Sequence, residues 1–379
     1  MDYTVTKGTA EDYEDIIDLS NYIFGADFPS LLPKLYKNHK HKAQYQHILK
    51  EGHRIKALVG SFPLGLKICD HHLKMRGIGN VCVHKYSRGS GYMKLLMDNA
   101  IAEMKAEGCD MAVLGGQRQR YEYWGFTPCG ISINVNFNSS NIRHTHIGVE
   151  DNYKFEEYDE SKNIDLDRAV KLHDSQIAHA VREKDDFIDV CSSWSNRVIF
   201  VYQNGEFTGY LSTSADREKI SEIVLIDPHK IDQIIVAYMK YFNTNKTSVV
   251  LSIHRSEEFM KLSKLCENYS FNSSCNTYII NYITVIKAFM DLKNTFSRLS
   301  EGTLIINVEK KGRYKIEVKD RTITVEETDM PYDISLSHLD ASALLFSHSS
   351  FINAAYDCAN PLVKAWFPLP LFYPGQDNV

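Results

Sequence analysis

The sequence predicts a mixed α+β protein, and three observations carry that expectation. Stretches with strand-type alternation and stretches with helix-type periodicity follow one another along the chain rather than separating into blocks. The segment from Val81 to Gly115 reads as strand, glycine-rich turn, helix and strand, a crossover of the kind that joins parallel strands. The same order of elements returns between Ile220 and Ile253, and a block of regularly alternating strands follows near the C-terminus. With 379 residues, 44% of them hydrophobic and 24% charged, the chain is long enough to build two or three cores.

Taken in order, "YTVTK" alternates like an edge strand, and Thr9 with Asp12 forms a helix-start signal ahead of Tyr13, Ile16, Ile17, Ser20 and Phe24 at helical spacing. After the basic passage "KNHKHKAQYQH", the run Arg54 to His84 reads as strand, turn, strand, turn, strand, with reversals expected near "DHH" and "RG". "VCVH" is the first strand of the crossover; its helix continues through Met104, stops at Gly108 and leads into the strand "MAVLG". From about Ile147 the composition turns polar and acidic, as expected of a connecting passage, before a helix near Leu166 to Ala178. "RVIFVYQNGEFTGYLSTS" carries an Asn204-Gly205 hairpin turn. From about Val285, a helix precedes the alternating strands "TLIINVEKKGRYKIEVKDRTITVEET", then short helices around "HLDASALLFS" and "FINAAYDCAN".

Bulk properties exclude some functions. A net charge of -5 argues against a polyanion as main partner, so nucleic acid is not expected. The acidic start has no signal-peptide pattern and no run approaches the ~18 apolar residues of a membrane span, so the expected location is the cytoplasm, with no membrane partner. The eight cysteines are scattered without a Cys-x-x-Cys pair and read as reduced, mostly buried thiols. His39, His41 and His47 lack cysteine or carboxylate companions at ligand spacing. They read as part of a solvated basic face, and no metal is expected.

The turn "SRGSGYM" has a chemical reading. The first turn of a helix offers N–H groups without intrahelical acceptors and a partial positive charge, which suits a phosphate. Gly89 and Gly91 remove side chains where an anion would approach the backbone, and Arg88 adds a permanent cation. No Gly-Lys-Ser/Thr follows and a third glycine is missing, so neither a kinase-type loop nor a dinucleotide fingerprint is present.

Together with the later "RYEYWGFTPCG", this order resembles the GNAT superfamily of acetyl-coenzyme A-dependent N-acyltransferases, whose cofactor motif runs Arg/Gln-x-x-Gly-x-Gly/Ala. Arg88 and Gly91 match its first and fourth positions; Met93 departs from its sixth. The resemblance implies that acetyl-coenzyme A is the co-substrate, with Val81, Cys82 and Val83 along its pantetheine arm. Its pyrophosphate would lie at Arg88, Gly89, Ser90, Gly91, Tyr92 and Met93. It also implies Tyr121 as the general acid, since a neutral phenol with a reference pKa near ~10 protonates a departing thiolate without being ionised at pH 7.

The second occurrence of the pattern replaces "YSRGSG" by "DPHKID", with Asp227 and Asp232 where a phosphate would sit, so it should not hold the cofactor. The C-terminal block resembles a sterol-carrier-protein-like fold. An intact GNAT copy, a degenerate one and that third part resemble the enhanced intracellular survival (Eis) type acetyltransferases over essentially the whole chain. The implied domains are 1–145, 146–284 and 285–379. The resemblance further implies an amine acceptor, either a polyamine or aminoglycoside-like small molecule or a peptide lysine, and a trimer or hexamer. Phe24 and Asp27 would line the acceptor channel. The C-terminal carboxylate of Val379 would accept the amine proton, with Asp377 as its substitute. The alternative is a non-catalytic coenzyme A- or lipid-binding protein that works through the third part.

Overall fold

The computed structural model describes residues 3–144, 152–162, 165–350 and 358–379. In chain order the first nine strands are β1 (Thr4–Lys7), β2 (Gln46–Glu51), β3 (Arg54–Ile68), β4 (His71–Val83), β5 (Met111–Leu114), β6 (Thr127–Cys129), β7 (Ser132–Asn138), β8 (Tyr153–Glu157) and β9 (Ala178–Ala180). Then come β10 (Asn196–Gln203), β11 (Glu206–Ser214), β12 (Lys219–Leu225), β13 (Lys246–Ser252), β14 (Asn268–Asn272), β15 (Cys275–Ile279), β16 (Gly302–Val308), β17 (Gly312–Lys319), β18 (Thr322–Glu327) and β19 (Ile334–Leu336).

They form an eight-stranded sheet in the order β1-β2-β3-β4-β5-β15-β6 with β9 added on β3, a seven-stranded sheet β14-β7-β13-β12-β11-β10-β8, and a four-stranded sheet β18-β17-β16-β19. The fold is mixed α/β, as expected. In the first sheet β4 and β5 are parallel and joined by the helix Tyr92–Ala106; in the second, β12 and β13 are parallel and joined by the helix Ile231–Tyr241.

The two large sheets exchange strands. β7 follows β6 in sequence but lies between β13 and β14, whereas β15 follows β14 but lies between β5 and β6. The crossing passes Gly130, where an added Cβ would lie 1.9 Å from Ser274 Oγ and 3.0 Å from Leu371 O, so only glycine lets the three segments meet. Each sheet therefore holds a strand of the other, and neither half separates without breaking both ladders.

Leu96, Met97, Ala100 and Met104 of the helix Tyr92–Ala106 bury one face of the first sheet, while Ile16, Ile17 and Leu19 of the helix Tyr13–Phe24 cover the other near Leu58 and Cys82. Each of these Leu, Ile and Met side chains contributes about 1.5–3 kcal/mol of burial. The helix Tyr282–Phe296 is buried around most of its circumference because it lies between the first sheet (Met75, Met111) and the four-stranded sheet (Leu304, Ile316). No described helix is long and apolar enough to cross a membrane.

Several expected elements differ. β4 runs unbroken from His71 to Val83, so the reversal expected near "RG" does not exist; Gly77 and Gly79 lie within a strand. The helix begun at Leu166 ends at Asp174, and Ala178 opens β9, which pairs with β3. The acidic passage contains β8, whose Tyr153 and Phe155 face the core while the acidic residues face water, so strand alternation prevails over polar composition. His47 is buried against Glu103 at 2.7 Å and is not part of a solvated face; burial pushes its pKa down to about 4. Of "FINAAYDCAN", residues 351–357 lie outside the described residues.

Candidate active site

The parallel pairing of β4 with β5 stops at Ile78 and Leu114, yet β4 continues to Val83. Its remaining backbone therefore has an open edge on that side. A β-bulge accompanies the opening: Leu58 pairs with Cys82 but Gly60 with Gly79, which gives β4 one extra residue, and Asn80 takes a φ of 50°. Val81 and Val83 turn their side chains toward the helix Tyr92–Ala106, and Cys82 turns to the opposite core. What remains for a ligand is the strand's backbone.

Beyond it the chain makes a 3-10 turn, Lys85–Ser87, and enters the helix at Tyr92. Gly89 and Gly91 have φ of 84° and 78°, and a Cβ at either would meet nothing within 4 Å. Gly91 is the N-cap and supplies no side-chain cap, so the first-turn N–H groups face open space. The Tyr92 hydroxyl is already engaged, donating to Glu51 Oε1 at 2.6 Å, which leaves its backbone N–H for the turn.

These features line one groove of about 470 Å³. It brings together every residue singled out for the cofactor: Val81, Cys82 and Val83 on the strand, and Arg88, Gly89, Ser90, Gly91, Tyr92 and Met93 at the turn. Phe24 lines the same groove, so its place is on the cofactor side. Arg120, which the sequence did not single out, adds a second exposed cation. Its neighbour Tyr121 is buried beside Trp124, with ring centroids 6.3 Å apart. Burial raises the Tyr121 phenol above its ordinary value, and the charge of Arg120 partly offsets that.

The other end of the site is made by the chain's own terminus. An added Cβ on Gly79 would lie 2.5 Å from the carboxyl carbon of Val379, and one on Gly77 would lie 2.6 Å from Val379 Cγ2. The last residue thus rests on β4 two positions before Val81, about 7 Å along the strand at ~3.3 Å per residue.

The tail is fastened in several places. Ile131 N donates to Leu371 O at 2.7 Å, and Leu369, Leu371 and Tyr373 are buried. Lys34 Nζ donates to the carbonyls of Gln376 and, at 2.7 Å, Asn378, while Trp194 Nε1 donates to Asn378 O at 3.1 Å. Burial lowers the Lys34 pKa to about 7 even though nearby Asp377 favours its charge. Both oxygens of Asp377 accept from Arg182, at 3.0 and 2.7 Å, and the same guanidinium spans to Glu222 on β12. Asp377 is therefore committed to holding the tail and is not available as a substitute base.

A second cavity, of about 500 Å³, lies beside Val379. It exists because β3 is left uncovered: β2 pairs with it only as far as Gly60, and β9 joins it only from Leu66. Phe62, Pro63, Leu64 and Gly65 line the gap, and Pro63 has no N–H to leave unpaired there. Asp27 is exposed, accepts from Ser30 Oγ and does not line this cavity.

The second strand-to-helix junction is closed. Asp227 accepts from His229 N at 3.0 Å, and Pro228 occupies the first position of the turn. Among the described residues no group of three His, Cys, Asp or Glu side chains is placed to hold a metal ion.

An open strand edge and a glycine-lined helix start after the parallel crossover are the features of a GNAT-type fold. Residues 4–129, the first third of the chain, match the family model for the acetyltransferase (GNAT) domain. Over the whole chain the fold is similar to a GCN5-related N-acetyltransferase from Kribbella flavida, at 14% identity and a TM-score of 0.70, covering 100% of this chain and 98% of that one. It is also similar to a GCN5-related N-acetyltransferase from Anabaena variabilis, at 13% identity and TM-score 0.70 with 98% of each chain covered. Eis1 from Mycobacterium abscessus matches at 10% identity and TM-score 0.66, with 100% of each covered. No curated protein matches the chain by sequence.

Proposed function

We propose that the protein is an N-acetyltransferase that moves the acetyl group of acetyl-coenzyme A to a primary amine by direct attack. In this reading the backbone of Val81 to Val83 pairs with the pantetheine arm. The turn from Arg88 to Met93, with Arg120 beside it, neutralises the pyrophosphate. The amine loses a proton to the Val379 carboxylate, directly or through water, and its lone pair forms the new C–N bond at the thioester carbonyl. The C–S bond then breaks, the departing thiolate takes a proton from Tyr121, and the second proton on the acylated nitrogen passes through solvent to the Tyr121 phenolate.

The observation that carries the reading is the meeting of two features on one strand. The Val379 carboxylate rests on Gly79 of β4, just past the end of the β4–β5 pairing at Ile78, and the same strand runs on along its open edge, through Val81 to Val83, toward the phosphate-type turn at Arg88. A base and a thioester site side by side are what a direct transfer needs. The three-part Eis-type division at 1–145, 146–284 and 285–379 and assembly as a trimer or hexamer belong to the same proposal. Light scattering of the pure protein reads the assembly.

The test is calorimetric titration of acetyl-coenzyme A into the wild type and into Gly91→Glu, followed by thiol release with a panel of amines. Binding to the wild type alone, with amine-dependent thiol release, supports the proposal. Failure of the wild type to bind acetyl-coenzyme A refutes it.

A further inference from the structure

The last peptide of the chain is gripped by two donors from different parts of the molecule. Arg182 fixes the tail at Asp377, two residues short of the end. Beyond that point the Asn378 carbonyl accepts from Lys34 Nζ at 2.7 Å and from Trp194 Nε1 at 3.1 Å. A peptide unit is planar, so a carbonyl held by two donors fixes the plane that leads into Val379, and with it the direction of the terminal carboxylate over Gly79.

Trp194 is bent to this use. It and Ser195 each have a φ of 62°, a left-handed conformation that residues other than glycine rarely adopt, and here two follow in succession. Hydrogen bonds brace the turn from both sides. Ser193 Oγ donates to Asp189 O at 2.7 Å and Asn196 Nδ2 to Ser193 O at 3.0 Å, while Trp194 N donates at 2.7 Å to the carbonyl of Leu31, three residues before Lys34. The side chain is 42% exposed and lines neither the second cavity nor the cofactor groove, so neither burial nor ligand contact accounts for its place. What the strained turn delivers is the indole N–H.

We propose that Trp194 is a positioning residue for the terminal base: together with Lys34 it orients the Val379 carboxylate. The proposal rests on the acetyltransferase reading above. The two donors differ in one respect, since an indole N–H does not titrate in the working range whereas Lys34 does. Burial lowers the Lys34 pKa to about 7; Asp377 favours its charge, Arg182 and Lys42 oppose it, and the Cys191 thiol facing it is kept neutral by burial. As pH rises through 7 the Lys34 bond changes from charge-assisted to neutral and weakens about two-fold. The Trp194 bond does not change.

The experiment is Trp194→Phe in the full-length protein, which keeps an aromatic ring and removes the N–H. Thiol release is measured at saturating acetyl-coenzyme A with 2-phenylethylamine, spermidine and a lysine-containing peptide, and the fastest acceptor is then used at saturation throughout. The expected kcat is about ten-fold below wild type at pH 8.5 and no more than three-fold below at pH 6.5, with the acetyl-coenzyme A dissociation constant within two-fold at both. In a chain lacking Val379 the same substitution should change kcat by less than two-fold at pH 8.5, because the group it orients is gone. A kcat within two-fold of wild type at pH 8.5, an equal loss at both pH values, or a ten-fold loss that persists without Val379 would each overturn the positioning role and leave the acetyltransferase reading intact. Wild-type protein that releases no thiol with any amine overturns that reading, and this inference with it.

Discussion

The two strand-to-helix junctions of the large sheets are built from the same elements and finished in opposite ways. After β4 a 3-10 turn capped by His84 leads to a helix start with two glycines at positive φ and open space in front of it. After β12 the turn has a proline and an aspartate that caps its own backbone. The helix start after β4 keeps its first-turn donors facing open space and so has something to offer an anion; after β12, Asp227 and Asp232 accept from His229 N and Gln233 N and offer an anion negative charge instead. One half is thereby free for chemistry, while the other serves as a frame: through Glu222 and Arg182 it holds the tail that completes the first.

The largest effect expected from breaking this contrast comes at Gly91. Glutamate there must adopt a left-handed backbone, at about 1–2 kcal/mol, and puts a carboxylate where the pyrophosphate would lie. Gly91→Glu should weaken acetyl-coenzyme A binding by about 10³-fold or more in a titration, with an unchanged circular-dichroism spectrum. Binding within ten-fold of the wild type would place the cofactor elsewhere.

The frame breaks next at Arg182. Burial alone would raise the Glu222 carboxyl, but Arg182 and His173 outweigh it and hold that carboxyl well below the usual range. Arg182→Met leaves two buried carboxylates without their cation, at about 3–5 kcal/mol, and should lower Tm at pH 7 by about 10 °C. The depressed Glu222 value stabilises the wild type above the ordinary carboxylate pKa, and that contribution is lost as pH falls through the folded value. In the variant burial is left to raise the Glu222 carboxyl instead, so its stability recovers as that group is protonated. The Tm gap should therefore narrow between pH 7 and pH 5; a gap that widens would contradict this account.

Gly79→Val separates the tail from the cofactor groove. A side chain there collides with the Val379 carboxyl carbon, so kcat should fall by about 10²-fold while acetyl-coenzyme A affinity stays within three-fold. Removing Val379 alone should reproduce the loss. Tyr121→Phe should cost a similar ~10²-fold in kcat. Because burial raises the phenol, the wild-type kcat/KM should climb with pH as the amine deprotonates and show no fall below about pH 10.

The glycine turn was legible because its physics is local: Arg88, Gly89 and Gly91 reveal their use through their spacing and the helix that follows. The part of Val81 to Val83 came only through the resemblance, since nothing in "VCVH" itself shows that its edge is left open. The reversal expected at Arg76-Gly77 does not form, and Gly79 gave no sign of its use, because the reason for both glycines lies some 300 residues away, in Val379, which packs on the strand. Lys34 and Arg182 carried no signal for the same reason. A lysine in "LLPKLY" and an arginine in "AVREKDD" look like surface residues, yet both end buried on the tail. The exchange of β7 and β15 between sheets was equally hidden, since each strand alternates as it would in either partner. Arg120 was within reach: it is the first residue of "RYEYWGF", and it lines the same groove as the turn.

The smallest effect sharpens the comparison by opening the closed junction. Asp227 accepts one backbone N–H at the start of a short turn, a bond whose loss costs about 1 kcal/mol. Asp227→Ala should therefore lower Tm by only a few degrees and leave acetyl-transfer kinetics unchanged. Removing the negative charge does not create a cofactor site, because Pro228 still removes one N–H and no glycine allows the backbone to turn its donors outward. Calorimetry should find one acetyl-coenzyme A per chain in both the wild type and Asp227→Ala. A second equivalent in the variant would mean that charge alone had closed the junction and that its lost glycines were incidental.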